Sequence, residues 1–120
     1  MENTKKIAEK VEDVLLDLGI APNIKGFDYL RDATVLAISN SDSAKSMTKF
    51  VYPEIAKRHT ASASKVERAM RHAVELIYSR NDPEYIAKYV GYWGSPDKGK
   101  ATNGEFISSL ALKIKRTIGM

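Results

Sequence analysis

Apolar residues recur at spacings of three and four along nearly the whole chain, and no run alternates apolar with polar residues for more than a few positions. A spacing near 3.6 lines one face of a helix, whereas a strand needs a spacing of two, so a core can form here only from packed helices. Ile7, Val11, Val14, Leu15 and Leu18 make a first stripe that Gly19 and then Pro22 bring to a stop, which predicts a helix over about residues 4–18. Phe27, Leu30, Thr34, Ala37 and Ile38 make a second stripe, running into the polar loop SNSDS. A short third helix is expected over about residues 43–51. Pro53 is comfortable only near a helix start, so YPEIAKRH is expected to form a separate short helix rather than a continuation.

After a turn near HTAS comes the stretch SKVERAMRHAVE, expected to be helical over about residues 62–79. Ser62 and Ser64 are both placed to cap it, and Glu67 stands at capping-box distance from Ser64. NDPEYIAKYV supplies Asp82 as a cap with Pro83 at the first helical position. GYWGSPDKGK reads as a loop. TNGEFISSLALKIKRTIG then opens with a capping box between Thr102 and Glu105 and buries Phe106, Leu110 and Ile114. The expected fold is all-α, a single compact domain of about six helices over residues 1–120. A chain of 120 residues, 43% hydrophobic and 28% charged, suffices for one core and leaves no room for a second full domain.

Several function classes fall away. The chain has no Cys, which excludes disulfides, thiolate metal sites and thiol nucleophiles. Its two histidines, His59 and His72, come with no metal-binding spacing, carboxylate cluster or marked nucleophile, so no enzyme activity, metal or cofactor is expected. No stretch of about 18 apolar residues and no signal-peptide core is present, so a cytoplasmic protein without membrane association is expected.

The net charge of +4 is localised. Residues 57–80 hold Lys57, Arg58, Lys65, Arg68, Arg71 and Arg80 against Glu67 and Glu75, so this window carries the whole excess. A basic window in a neutral remainder fits a domain that turns one face to a polyanion, and it equally describes a solvated helix face. At 100° per residue, Val66, Ala69, Met70, Ala73, Val74 and Ile77 share one side of the helix. Opposite them lie Ser64, Arg68, Arg71 and Glu75, with Glu67 on one edge and Lys65 and His72 on the other. Glu67 and Arg71 are also spaced for an ordinary surface ion pair. What precedes the helix separates these readings. Ile55, the small Ala56, the HTAS turn, Val66 and Ala69 follow the order of a helix-turn-helix, although His59 and Thr60 stand where a larger hydrophobe and Gly are commoner. In that geometry the second helix enters the major groove, Arg68 and Arg71 reach guanine O6 and N7, Glu67 accepts from a cytosine amino group, and Ser62, Ser64 and Lys65 suit phosphate.

The strings YPEIAKRH, SASKVERAMRHAVELIYSR and TNGEFI, with IKGFDYLRDA upstream, resemble the C-terminal DNA-binding effector domain of the sporulation stage-zero response regulators of spore-forming Firmicutes. The resemblance covers nearly the whole chain. It implies a domain of about six helices that binds double-stranded DNA at a T-G-x-C-G-A-A element, commonly as a head-to-tail dimer on tandem copies, and regulates sporulation genes. It implies base reading by Glu67, Arg68, Arg71 and His72 and backbone contact by Ser64, Lys65 and Arg80. It also likens RNDPEYIAKYV to the surface that meets the sigma subunit of RNA polymerase. The family's N-terminal receiver domain with its phosphoacceptor Asp does not fit within 120 residues, so DNA binding without phosphorylation, and with weaker dimerisation, is expected.

Other residues have two readings. Tyr92 and Trp93 could stack on a base or fold back on the core; Lys98 and Lys100 could reach phosphate or stay solvated. Lys113, Lys115 and Arg116 suit the C-terminal dipole of the last helix. The competing function is a helical adaptor that touches the transcription machinery without reading DNA.

Overall fold

In a computed structural model, which describes residues 2–40, 42, 46–91 and 99–119, the chain forms six α-helices and, among the described residues, no strand. They are α1 (Glu2–Asp17), α2 (Lys25–Ser39), α3 (Tyr52–Arg58), α4 (Ala63–Arg80), α5 (Pro83–Val90) and α6 (Asn103–Thr117), with a π-helical turn over Met47–Val51 ahead of α3. The all-α expectation holds. Eight of the fifteen residues of α2 are buried, a stripe too wide for a helix that packs on one side only, and α2 accordingly lies against α1, α4 and α6. Its approach to α4 is tight. A Cβ placed on Gly26 would fall 2.4 Å from the Ala69 carbonyl oxygen and 2.7 Å from the Ala73 Cβ, so only glycine lets the two backbones come this near. Thr34 does lie in the apolar stripe of α2, fully buried, and its hydroxyl has no hydrogen-bond partner among the described residues.

One local expectation changes: the expected third helix over residues 43–51 is, where described, the π turn. The short helix expected of YPEIAKRH forms as α3 with Pro53 in its first turn, and it follows the π turn without a break, since Val51 already has helical dihedrals. A proline lacks the N–H of a continuing α-helix and its ring clashes with the carbonyl four residues back. The chain passes Pro53 by first widening to i→i−5 bonds, as in Val51 N–H to Ser46 O at 3.1 Å. Asp82 occupies the N-cap position of α5, but its side chain makes no capping bond. The Thr102–Glu105 capping box forms in both directions. Tyr92, Trp93 and Lys98 lie outside the described residues.

The C-terminal end of α1 is capped from far away in sequence. Gly19 takes a left-handed φ of 89°, and the freed carbonyls of Leu18 and Gly19 accept from Asn81 Nδ2 at 2.8 Å and Arg80 Nη1 at 2.7 Å. A second tie joins α1, α2 and the end of α3. Arg31 of α2 bonds Glu12, Asp28 and Asp32 at 2.9–3.0 Å, and Asp32 in turn lies 2.6 Å from His59 Nε2. Partial burial works against the Arg31 charge, and the surrounding carboxylates outweigh it, Asp32 most of all, so its pKa is raised.

Candidate nucleic-acid interface

Val66, Met70, Ala73, Val74 and Ile77 are buried, which decides the side of α4 that faces outward. Burying each larger apolar side chain stabilises by about 1.5–3 kcal/mol, whereas an exposed ion pair contributes a few tenths, so the packing and not the charge sets the helix rotation. Ser64, Lys65, Arg68, Arg71 and His72 are consequently exposed, and Glu67 is half-buried on one edge. Six of the eight residues singled out from the sequence thus share one outer strip, and Ser62 stands at its start.

The turn that delivers this strip is built from local strain and packing. Ile55 and Ala56 are buried, His59 closes α3, and the Ala61 N–H returns to Ala56 O at 2.9 Å. The His59 ring lies edge-on to Tyr29 at 5.0 Å, so the residue expected to be a larger hydrophobe still packs while its Nε2 is tied to Asp32. Thr60 takes φ of 52°, the left-handed conformation that makes Gly commoner here. Ser62, not Ser64, caps α4: its Oγ accepts from Lys65 N–H at 3.2 Å. The Ser64 hydroxyl lies 3.5 Å from that of Ser62.

The charges of the strip are unequally engaged. Arg71 donates through Nε to Glu67 Oε2 at 2.9 Å and through Nη2 to Oε1 at 3.4 Å, so the ion pair the spacing allows is formed. This bond raises the Arg71 pKa above its ordinary value. Lys100, whose sequence readings were phosphate contact or free solvation, reaches across to Glu75 at 2.6 Å and holds that carboxylate below its ordinary value. Lys65 and Arg68 have no ion-pair partner among the described residues. Arg80 stands apart. At 1.5 Å rise per residue it is about 22 Å along the axis from Lys65, and its guanidinium bonds Gly19 O.

A cleft runs along each side of the strip. One, of about 480 Å³, lies between α4, the turn and the start of α2, with Lys25, Lys65, Arg68, His59 and His72 in its wall. The other, of about 240 Å³, lies towards α6 and pairs Arg71 and Lys100 with Glu67 and Glu75. Asn103, which the sequence did not mark, fixes the second wall: buried, it donates to Tyr52 Oη at 3.1 Å and to Glu67 O at 3.3 Å. Neither Lys25 nor Asn103 belongs to a motif, and only the crossing of helices brings them to the strip. No group of three His, Asp or Glu residues converges as a metal site, and no helix is long and apolar enough to cross a membrane, among the described residues. Compared with known protein families, residues 11–114 match the model described as Sporulation initiation factor Spo0A C terminal.

Proposed function

The chain belongs to the Spo0A C-terminal family, a DNA-binding effector domain of sporulation control, and on that premise we propose that α3, the turn and α4 act as a helix-turn-helix whose second helix reads the major groove. The observation that carries this reading is the outer strip of α4, where exposed Arg68, Arg71 and His72 stand beside Glu67 on a helix whose rotation is set by its buried face. Arg68, free of any ion pair among the described residues, offers its fork to guanine O6 and N7. The Arg71–Glu67 pair presents a donor fork and an acceptor side by side, suited to adjacent guanine and cytosine edges. Ser62, Ser64 and Lys65 at the positive end of α4 suit phosphate. Arg80 would contact the backbone only by releasing Gly19 O or by using its remaining donors.

The proposed element is T-G-x-C-G-A-A, with two copies of the domain head to tail on tandem elements and the segment over residues 80–90, carrying α5, turned to the sigma subunit of RNA polymerase. Resemblance to the family supports these three statements. A fluorescence titration with duplexes containing or scrambling the element tests the first. A reader with about four phosphate contacts should show a log–log salt slope of roughly −3 to −4 and a preference for the intact element. A flat salt response, or equal binding of both duplexes, would refute sequence-specific reading and favour an adaptor that binds protein.

A further inference from the structure

The two clefts beside α4 differ in charge. In the cleft towards α6, Arg71 and Lys100 are matched by Glu67 and Glu75, so that flank is electrically balanced. In the cleft towards α2, Lys25, Lys65 and Arg68 face the same space, with no carboxylate in its wall and no ion pair for any of the three among the described residues. Asp32 is the acidic group behind that wall, and it is already shared between His59 and Arg31. Three unpaired cations drawn together from two helices repel one another unless an anion lies between them.

Lys25 is held there by the fold. Its neighbour Gly26 touches the Ala69 carbonyl of α4, so the first turn of α2 sits directly beside the Lys65–His72 edge of the strip. A cation in the first turn of a helix is also where the helix dipole disfavours it, and the cap of α2, Ile24, provides no side-chain bond in compensation. A helix in the major groove nearly fills its width of about 12 Å, which brings a phosphate strand along each edge of the helix.

Building on the major-groove reading, we infer that Lys25 is a DNA-backbone contact: one phosphate strand lies in the cleft between α2 and α4, gripped by Lys25 from one side and Lys65 from the other. The opposite strand passes the balanced flank with little ionic contact. Recognition is thus lopsided, with α2 supplying a cation that lies 40 positions before Lys65 in the chain.

Lys25→Ala tests this against Lys10→Ala, which removes the same charge from a different cleft, between α1, α5 and α6. With wild-type protein and intact and scrambled duplexes, Lys25→Ala should reduce the salt slope by about 0.9 and weaken both duplexes alike, by roughly eightfold at 0.1 M salt relative to 1 M. Lys25→Arg should retain wild-type binding, and Lys10→Ala should leave the slope unchanged. Lys25 is exposed, so all variants should stay folded, with Lys25→Ala unfolding at the same or a slightly higher temperature because it removes a cation from the first turn of α2. Unaltered slope and affinity in Lys25→Ala would overturn the inference, as would an equal loss in Lys10→Ala, which would reduce the effect to net charge. Failure of the major-groove reading would show itself separately, as no preference of the wild type for the intact element.

Discussion

Gly26→Ala sets a backbone clash against helix propensity. Gly26 is the second residue of α2, and at an unconstrained helical site the exchange stabilises by up to about 1 kcal/mol. Here the added Cβ would stand 2.4 Å from the Ala69 carbonyl oxygen, so the helices must part by at least about 0.6 Å to reach even the 3.0 Å that real contacts respect. That oxygen belongs to the backbone of α4 and cannot swing aside as a side chain would. Overpacking of this kind costs about 1–3 kcal/mol. With the propensity gain subtracted, a net loss of about 1 kcal/mol is expected, or a fall in Tm of roughly 4 °C for a domain of this size. Gly104→Ala is the matched control, since Gly104 is likewise the second residue of its helix but would meet only the flexible Met47 side chain at 3.1 Å. Circular dichroism melts at 222 nm should give a clear loss for Gly26→Ala and a change within about 0.5 kcal/mol for Gly104→Ala. Equal shifts in the two variants, or a raised Tm in Gly26→Ala, would refute the tight crossing.

Arg68→Ala should cost about 1–3 kcal/mol of binding and relax base preference at one position, whereas Lys65→Ala should weaken every duplex alike; equal, sequence-blind losses would reduce Arg68 to a phosphate contact. Thr60→Gly should relieve the left-handed threonine and raise stability by about 0.5–1 kcal/mol in a urea titration, and a loss would mean the turn is unstrained. Thr34→Val removes a buried hydroxyl without a partner and should stabilise by roughly 1 kcal/mol; destabilisation would show that the hydroxyl is bonded. The Lys100 bond depresses Glu75, so this tie is complete above the ordinary carboxylate pKa and is lost as pH falls through the lower folded value. Lys100→Ala should move the Glu75 carboxyl titration upward when followed by NMR, and an unmoved midpoint would show that the bond is not populated.

What the sequence made legible was whatever repeats or lies close along the chain. The stripe of Val66, Met70, Ala73 and Ile77 determined the outward face of α4, and Thr102 with Glu105 marked the start of α6, because both depend on residues within a turn or two of each other. Pro53 marked the first turn of α3, but the π turn that leads into it was not legible, because a single widened i→i−5 turn is too short to set up a period of its own. Ser62 and Ser64 were indistinguishable as caps until the backbone placed Ser62 at the boundary. The capping of α1 by Arg80 and Asn81, the Lys100–Glu75 bridge and the arrival of Lys25 beside Lys65 span from 25 to 63 positions, beyond any periodic signal. Of the site, the strip was readable and its walls were not.

The contact of Gly26 with the Ala69 carbonyl has a bearing on how specificity can change. The seating of α2 on α4 is registered at Gly26 against the Ala69 carbonyl and the Ala73 Cβ, atoms on the inner side of α4. The outer residues of α4 take no part in that registration. On the proposed major-groove reading, substitutions at Arg68, Arg71 or His72 would therefore change base preference while the frame that presents them stays in place.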